Sequence, residues 1–202
     1  MPRMYLIRHG ETDWNLSGQV MGEQPVPLNR TGETQARLLA GSLTADAFRT
    51  LVSSPVARAK QTAEILASVL RVPVTTDRGL TEINVGEWEG RYWKDLVDAT
   101  ARQSFYTSPH HARPPGGETL REVQIRAVAA VERARAGGGS GPLVFVSHAD
   151  VLRAILAHYL NWDLQQVRQI QIAHASLTAL ELNATSAELI FLNYRPDLGG
   201  PG

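Results

Sequence analysis

An alternation of short apolar runs with longer segments of helical periodicity constrains the fold of this chain more than any other feature. Residues 4–7, 51–52 and 142–146 have the length and composition of buried strands, and amphipathic segments lie between them. This alternation is typical of parallel strands in one sheet with helices on both faces. We therefore predict an α/β fold, a three-layer αβα sandwich around a mostly parallel sheet, with residues 1–202 as a single domain.

Capping and turn residues locate the predicted helices. Thr31 is a candidate N-cap, and Ser54 followed by Pro55 has the form of an N-cap with proline at the first helical position. Thr119 and Glu122 have the spacing of a capping box. These signals predict helices over about 31–43, 55–70, 120–136 and 151–160, and a closing hairpin of strands over 175–182 and 187–192.

The remaining segments have weaker patterns. Residues 72–76 and 80–83 are extended candidates, and residues 92–101 have the pattern of a short helix. Three prolines, two histidines and two glycines in 104–117 favour a mobile insertion over a site and not a core element. We therefore expect a cap-like insertion over about 91–117.

The composition excludes several classes of function. The chain has no cysteine, which excludes disulfides, thiolate metal sites and a cysteine nucleophile. Twenty basic side chains balance twenty acidic ones, so bulk positive charge for binding nucleic acid is absent. No apolar run has the length of a membrane span or a signal-peptide core. We expect a cytoplasmic protein without nucleic-acid or membrane partners.

Two histidines directly follow predicted strands. His9 lies in the string RHGET (8–12) after the first strand, and His148 follows the strand at 142–146. Ligands bind at the carboxyl ends of strands in α/β sheets, so both imidazoles are expected in one crevice. An imidazole beside a guanidinium can attack or bind a phosphoryl group, and Gly10 lets the backbone approach a ligand. Taken alone, a surface histidine beside a turn explains His9 equally well.

Arg58 and Glu82 are further candidates from residue type and position. Arg58 falls in the first turn of its predicted helix, where a cation opposes the helix dipole. A bound phosphate oxygen would explain this position, and so would a nearby carboxylate. Glu82 lies among apolar neighbours, which raise the pKa of a carboxyl group toward the range of a general acid. Glu87 and Glu89 compete for that role on sequence grounds.

Five strings carry most of the functional signal. They are Arg8-His9-Gly10-Glu11-Thr12-x-x-Asn15, Ser53-Ser54-Pro55-x-x-Arg58-Ala59-x-Gln61-Thr62, Leu80-x-Glu82 followed by Gly86-x-Trp88-Glu89-Gly90, Pro115-Gly116-Gly117-Glu118-Thr119, and Val146-Ser147-His148. Together, and in this order, they resemble the histidine phosphatase superfamily, which includes the cofactor-dependent phosphoglycerate mutases. Chance agreement of all five is a much poorer explanation than homology. The stretch 86–90 resembles the short phosphatase branch.

The resemblance implies a role for each site residue. The implied catalytic set is the nucleophile His9, the proton donor Glu82, and the phosphate ligands Arg8, Arg58 and His148. The implied phosphate- or substrate-binding residues are Asn15, Gly10 and Thr12. The implied reaction is hydrolysis of a small-molecule phosphomonoester through a phosphohistidine, with neither a metal nor a cofactor, because the cationic side chains replace metal charge.

Some positions depart from the family pattern. They are Met21-Gly22, where glutamine often precedes glycine, Pro25-Val26-Pro27, where an aspartate is frequent, Ala149-Asp150, where many relatives have glycine, and His174, where asparagine is common before Ala175-Ser176. We expect these departures to tune the pocket without removing the phosphate site.

Other functions remain open at this point. Phosphoglycerate mutases typically carry a basic, tyrosine-containing stretch with an Asn-Lys pair where this chain has 86–90, so a mutase is the alternative within the family. A phosphate sensor would bind without needing the nucleophile or the acid. A metal enzyme would use His110, His111, His148 and Asp150, which lack a strong ligand spacing, so we expect activity to survive chelation. The apolar C-terminal hairpin also leaves a homodimer open.

Overall fold

The computed structural model describes residues 3–44, 48, 51–96, 103–105, 107–108, 111–137, 141–183 and 186–196. Its strands are β1 (Arg3–Arg8), β2 (Leu51–Ser53), β3 (Val74–Thr76), β4 (Leu143–Ser147), β5 (Leu177–Leu182) and β6 (Ala187–Tyr194). Its α-helices are α1 (Asp13–Ser17), α2 (Arg30–Gly41), α3 (Ala57–Leu70), α4 (Leu120–Ala136) and α5 (Ala149–Tyr159).

The strands form one six-stranded sheet in the order β3-β2-β4-β1-β5-β6. The pairs β3-β2, β2-β4 and β4-β1 are parallel, and the pairs β1-β5 and β5-β6 are antiparallel. In β4, every side chain after Leu143 is buried, as expected for an interior parallel strand that is covered on both faces. The predicted closing hairpin is confirmed as β5 and β6.

Helices cover both faces of this sheet and divide the core in two. Met4 and Leu6 of β1 pack with α4 and α5, whereas Ile7 packs with α2 and α3 on the opposite face. Successive side chains of a strand point to opposite faces, so β1 serves both halves of the core. The predicted α/β class and the αβα layering are confirmed. No helix in the described ranges combines the length and hydropathy needed to cross a membrane.

Two helices begin at other residues than the sequence predicted. α2 is capped by Asn29 and not by Thr31, because the Asn29 side chain accepts a hydrogen bond from Gly32 N at 2.8 Å. α5 begins at Ala149, before the predicted start at residue 151, because His148 already has the extended backbone of an N-cap. The capping box predicted for α4 is present as expected.

The start of α3 is also corrected, and the reason lies in the site. The helix begins at Ala57 with Val56 at its N-cap, and not at Pro55 after a Ser54 cap. Ser54 Oγ does accept a hydrogen bond from Val56 N (3.2 Å), but it also lies 2.9 Å from His148 Nε2. The Ser54 hydroxyl therefore links the turn before α3 to His148 instead of capping the helix.

Two of the weaker predictions differ from the structure in the residues that it describes. Residues 80–83 do not form a strand. Instead, Asp77 is the N-cap of a 3-10 turn at Arg78–Leu80. Of the helix predicted over 92–101, the described residues 92–96 contain a 3-10 turn at Trp93–Asp95, and residues 97–101 lie outside the described ranges.

The segment 104–117 contributes to the core, contrary to expectation. Phe105 is 6% exposed, and its ring packs edge-on against Trp88 with 5.5 Å between centroids. The guanidinium carbon of Arg168 lies 3.6 Å from the centroid of the Phe105 ring. The aromatic side chain anchors this part of the insertion on the body of the protein, because burying a phenyl ring is strongly favourable.

Close packing around Gly10 gives a testable prediction. A Cβ atom at Gly10 would lie 2.4 Å from the carbonyl oxygen of Gly32, at the start of α2. Backbone cannot move aside as a flexible side chain can, so we expect Gly10→Ala to lower the free energy of unfolding by about 1–3 kcal/mol. Urea titration measures this difference. Gly41→Ala is the control, since nothing lies within 4 Å of its Cβ, and an equal loss in both variants would contradict the packing explanation.

Candidate active site

The register of the sheet brings the strand-end strings together. β4 lies between β1 and β2, with Arg8 paired to Ser147 and Ser53 paired to Val146. The ladder continues one residue past β1, where His9 N donates to Ser147 O at 3.0 Å. The residues that follow β1, β2 and β4 therefore meet at the carboxyl edge of the sheet, where α/β proteins bind ligands.

His9 is held at this edge through both ring nitrogens. The side chain is buried, and Nδ1 lies 2.7 Å from Gly10 O, which can only accept, so Nδ1–H is the donor. Arg58 Nε donates to His9 Nε2 at 3.3 Å, which requires a lone pair on Nε2. The hydrogen-bond network therefore selects the tautomer whose Nε2 is nucleophilic.

Arg58 is fully buried and reaches three acceptors. Besides His9, it donates from Nη2 to Gly22 O at 2.8 Å and from Nη1 to Gln24 O at 3.1 Å. The loop after α1 is thereby joined to the site by its backbone. An exposed arginine held by a carboxylate, the alternative considered from sequence, does not describe this residue.

Burial and neighbouring cations keep His9 uncharged. Burial lowers the pKa of His9 well below its usual value, and the guanidinium groups of Arg58 and Arg8 lower it further. Burial also lowers the pKa values of Arg8 and Arg58, each to about 10, so both remain cationic at neutral pH. A neutral imidazole beside two cations is suited to attack an anionic phosphoryl group.

His148 faces His9 across the site, with 5.2 Å between ring centroids. It is fully buried, its Nε2 lies 2.9 Å from Ser54 Oγ, and its Nδ1 lies 3.9 Å from Glu82 Oε2. Burial and the charge of Arg58 lower its pKa well below the usual value, so this imidazole is also neutral. Ser54 is a site residue whose contact the sequence did not predict.

The structure distinguishes among Glu82, Glu87 and Glu89, the three candidates for the general acid. Glu82 lies beside His148, whereas Glu87 is exposed. Glu89 accepts hydrogen bonds from Glu23 N (3.0 Å) and from the side-chain amide of Gln24 (2.7 Å). Its carboxylate therefore holds the loop after α1 instead of facing His9. Only Glu82 of the three is placed next to a histidine of the site.

The environment of Glu82 favours its protonated form. Burial raises the pKa of Glu82, and the negative charge of Asp150 raises it further. The cations of Arg58 and Arg8 act in the opposite direction, as does the hydrogen bond from Ile83 N at 2.9 Å. The net direction is upward, which suits a proton donor.

Arg126 of α4 fixes the segment that carries Glu82, and sequence reasoning missed it. Its guanidinium donates to Glu82 O (3.0 Å) and Thr81 O (2.8 Å), and pairs with both oxygens of Glu118 at 2.9 Å. Glu118 also accepts from Asn84 N at 2.9 Å. The string Pro-Gly-Gly-Glu-Thr thus supplies the carboxylate that completes this support. The available signal was an arginine at the border of an apolar helix face.

The other candidates of the first string contact protein atoms. Thr12 N and Oγ1 both donate to Asn15 Oδ1, at 3.0 and 2.9 Å, in the capping box of α1. Gly10 N donates to Thr62 Oγ1 at 3.1 Å. These bonds fix the string beside His9, and a phosphate contact by Gly10, Thr12 or Asn15 stays a prediction.

Besides Met21-Gly22, whose Gly22 carbonyl oxygen accepts from Arg58, two further departures from the family pattern lie at or near the site. Asp150 forms ion pairs with Arg153 (3.0 Å) and Arg168 (3.2 Å), which occupy its oxygens. The ring centroid of His174 lies 6.0 Å from that of His9. Among the residues described, no group of three histidine or acidic side chains could hold a metal ion, and His110 is not among those residues.

Comparisons with known proteins identify the family over most of the chain. The family model of the histidine phosphatase superfamily (branch 1) matches residues 4–195. The probable phosphoglycerate mutase GpmB of Yersinia enterocolitica is 32% identical over 184 residues, which cover 90% of this chain and 85% of that protein.

Solved structures with the same fold include proteins named as phosphatases. A mycobacterial glucosyl-3-phosphoglycerate phosphatase, in complex with VO3, has a TM-score of 0.86 and 27% identity, and the match covers 96% of this chain and 99% of that one. The alpha-ribazole phosphatase of Shigella flexneri has a TM-score of 0.86 and 30% identity, with 96% of each chain covered. The chain described here therefore belongs to branch 1 of the histidine phosphatase superfamily.

Proposed function

We propose that this protein hydrolyses small-molecule phosphomonoesters through a phosphohistidine at His9, without a metal ion. The observation that carries the proposal is the neutral His9 imidazole, whose Nε2 accepts from Nε of the fully buried Arg58 at 3.3 Å and whose pKa is lowered by burial and by the charges of Arg58 and Arg8. The phosphatase names of the structural relatives support the same reaction class.

In the first step, His9 Nε2 attacks phosphorus and the bond to the ester oxygen breaks. Arg8 and Arg58 stabilise the negative charge on the phosphoryl oxygens, and His148 borders the same pocket. Glu82 gives its proton to the departing alkoxide, which leaves as an alcohol. The products of this step are the alcohol, phosphorylated His9 and ionised Glu82.

In the second step, water takes the phosphoryl group from His9. The Glu82 carboxylate removes a proton as the water oxygen bonds to phosphorus and the N–P bond breaks. Inorganic phosphate leaves, and neutral His9 and protonated Glu82 are regenerated. One carboxyl group thus serves as acid and then as base, which balances the proton over the cycle.

A phosphoglycerate mutase is the second candidate, because the curated relatives carry that name. Transfer back to a phosphoglycerate requires a site for the substrate carboxylate as well as for the phosphate. The stretch 86–90 contains Glu87 and Glu89 and no basic side chain, so it offers no cation to bind a substrate carboxylate. We therefore favour hydrolysis.

Product analysis distinguishes the two reactions. We expect the purified protein, incubated with p-nitrophenyl phosphate or with 3-phosphoglycerate, to release inorganic phosphate without net conversion of 3- to 2-phosphoglycerate. Phosphorus NMR reads all these species in one sample. Prior dialysis against EDTA is expected to change the rate less than about twofold, because side chains supply the positive charge.

Efficient interconversion with negligible phosphate release would replace this proposal with the mutase. Loss of activity on chelation, restored by added divalent metal, would contradict the metal-independent mechanism. Phosphate binding without any turnover of either compound would favour a sensor.

A further inference from the structure

His174 presents a polar atom that the described residues leave unsatisfied. Its Nε2 is buried and has no hydrogen-bond partner among them. Its ring lies 6.0 Å from that of His9, close to the 5.2 Å that separates His9 from His148. Two imidazoles therefore flank His9 at similar distances, and only His148 belongs to the strings that identified the site.

Two residues next to His9, one adjacent in the chain and one across the site, also carry unsatisfied polar atoms. Arg8 Nε and His148 Nδ1 are also buried and lack hydrogen-bond partners within the described ranges. A buried polar atom without a partner has lost its water and gained nothing in return, which is why such atoms are rare. Such atoms on three residues that neighbour His9 are what a ligand with several acceptor oxygens, such as a phosphoryl group, would satisfy.

The loop that carries His174 is joined to the backbone of the first string. Ala175 N donates to His9 O at 3.1 Å, and Arg8 Nη1 donates to Ile172 O at 2.5 Å. These bonds flank His174 on both sides along the chain. The position of its imidazole relative to His9 is therefore set by main-chain contacts, as expected for a side chain that must meet a bound group.

On the basis of the proposed function, we infer that His174 is a further substrate-binding residue, which donates from Nε2–H to an oxygen of the phosphoryl group bound at His9. A phosphoryl oxygen only accepts, so Nε2 carries the hydrogen. Burial and the charges of Arg8 and Arg195 lower the pKa of His174 to about 3, so the ring is neutral. His174 adds a hydrogen bond to the pocket without adding a charge.

Substitutions at residue 174 separate this contact from a packing role. The amide nitrogen of glutamine lies near the position of histidine Nε2, whereas that of asparagine lies near Nδ1. We expect His174→Gln to bind inorganic phosphate within about threefold of the unmodified protein by calorimetry. His174→Ala and His174→Asn are expected to bind it about ten- to a hundredfold more weakly, the value of one hydrogen bond to a charged acceptor.

His158→Ala is the matched control, because this histidine is exposed at the end of α5. It should leave phosphate binding unchanged, and thermal unfolding midpoints should agree among all variants. Unchanged phosphate affinity in His174→Ala would overturn the inference, as would equal weakening in His174→Gln and His174→Ala. Turnover of p-nitrophenyl phosphate by the unmodified protein is scored separately, so failure of the proposed hydrolysis is distinguishable from failure of this contact.

Discussion

Replacing His9 with alanine is expected to lower the turnover of phosphomonoesters by about 10⁴- to 10⁶-fold, the range found when a nucleophile is removed. Arg8 and Arg58 remain to bind phosphate, but no nitrogen is left to accept the phosphoryl group. Rapid acid-free quenching with a labelled phosphomonoester measures the cause directly. The unmodified protein should carry label as an acid-labile phosphohistidine, and His9→Ala should carry none.

The control for this result is again His158→Ala, which removes an exposed imidazole and should retain both turnover and labelling. His9 is buried between the strand ends, so the thermal unfolding midpoint of His9→Ala must be measured as well. Label that persists on a folded His9→Ala protein, or a loss of turnover below a hundredfold, would show that another group is the nucleophile.

The layering and the convergence of His9 with His148 were predictable from sequence because they depend on local signals. Apolar runs of strand length encode β1, β2 and β4, and a parallel sheet places the residues after each strand at one edge. Arg58 follows from its position just after β2, together with the family strings. In each case, the decisive information lies within a few residues of the side chain concerned.

Contacts between distant segments were not predictable in this way. Ser54 has the sequence context of a helix cap, yet its hydroxyl contacts His148, which lies far along the chain. Arg126 supports the Glu82 segment through backbone carbonyls of a distant part of the chain, and its place at the border of an apolar helix face does not identify these partners. Phe105 lies in a segment rich in proline and glycine and is nevertheless buried. Tertiary packing determines all of these positions, and it cannot be inferred from the propensities of short segments.

Gly10 has a structural reason to be glycine beside the one that the sequence suggested. The sequence suggests that glycine there lets the backbone approach a ligand. The structure shows that a Cβ atom at Gly10 would lie too close to the carbonyl oxygen of Gly32, so the segment after β1 also approaches α2 closely. Both explanations require the same residue type, and the packing explanation could be found only from the coordinates of the neighbouring helix.

Glu82→Gln is expected to slow phosphoryl transfer from an alkyl phosphate by about 10²- to 10⁴-fold, the usual contribution of general acid catalysis. The amide keeps an oxygen to accept from Ile83 N, which is 2.9 Å away from the carboxylate, but it has no acidic proton. Transfer from p-nitrophenyl phosphate should fall less than about tenfold, since its leaving group departs without protonation. Single-turnover formation of phosphohistidine isolates this step from the later hydrolysis.

The pH dependence of the same step follows from the raised pKa of Glu82 and the lowered pKa of His9. Glu82 must be protonated, and burial and Asp150 raise its pKa, so the rate should fall as the pH rises through that raised value. His9 must be neutral, and burial and its arginines lower its pKa, so the loss on the acid side should come well below the usual histidine range. In Glu82→Gln the alkaline loss should disappear, whereas Glu87→Gln, at an exposed carboxylate, should keep the full profile. An alkaline limb that is unchanged in Glu82→Gln, or equal losses for both leaving groups, would assign the proton to another residue.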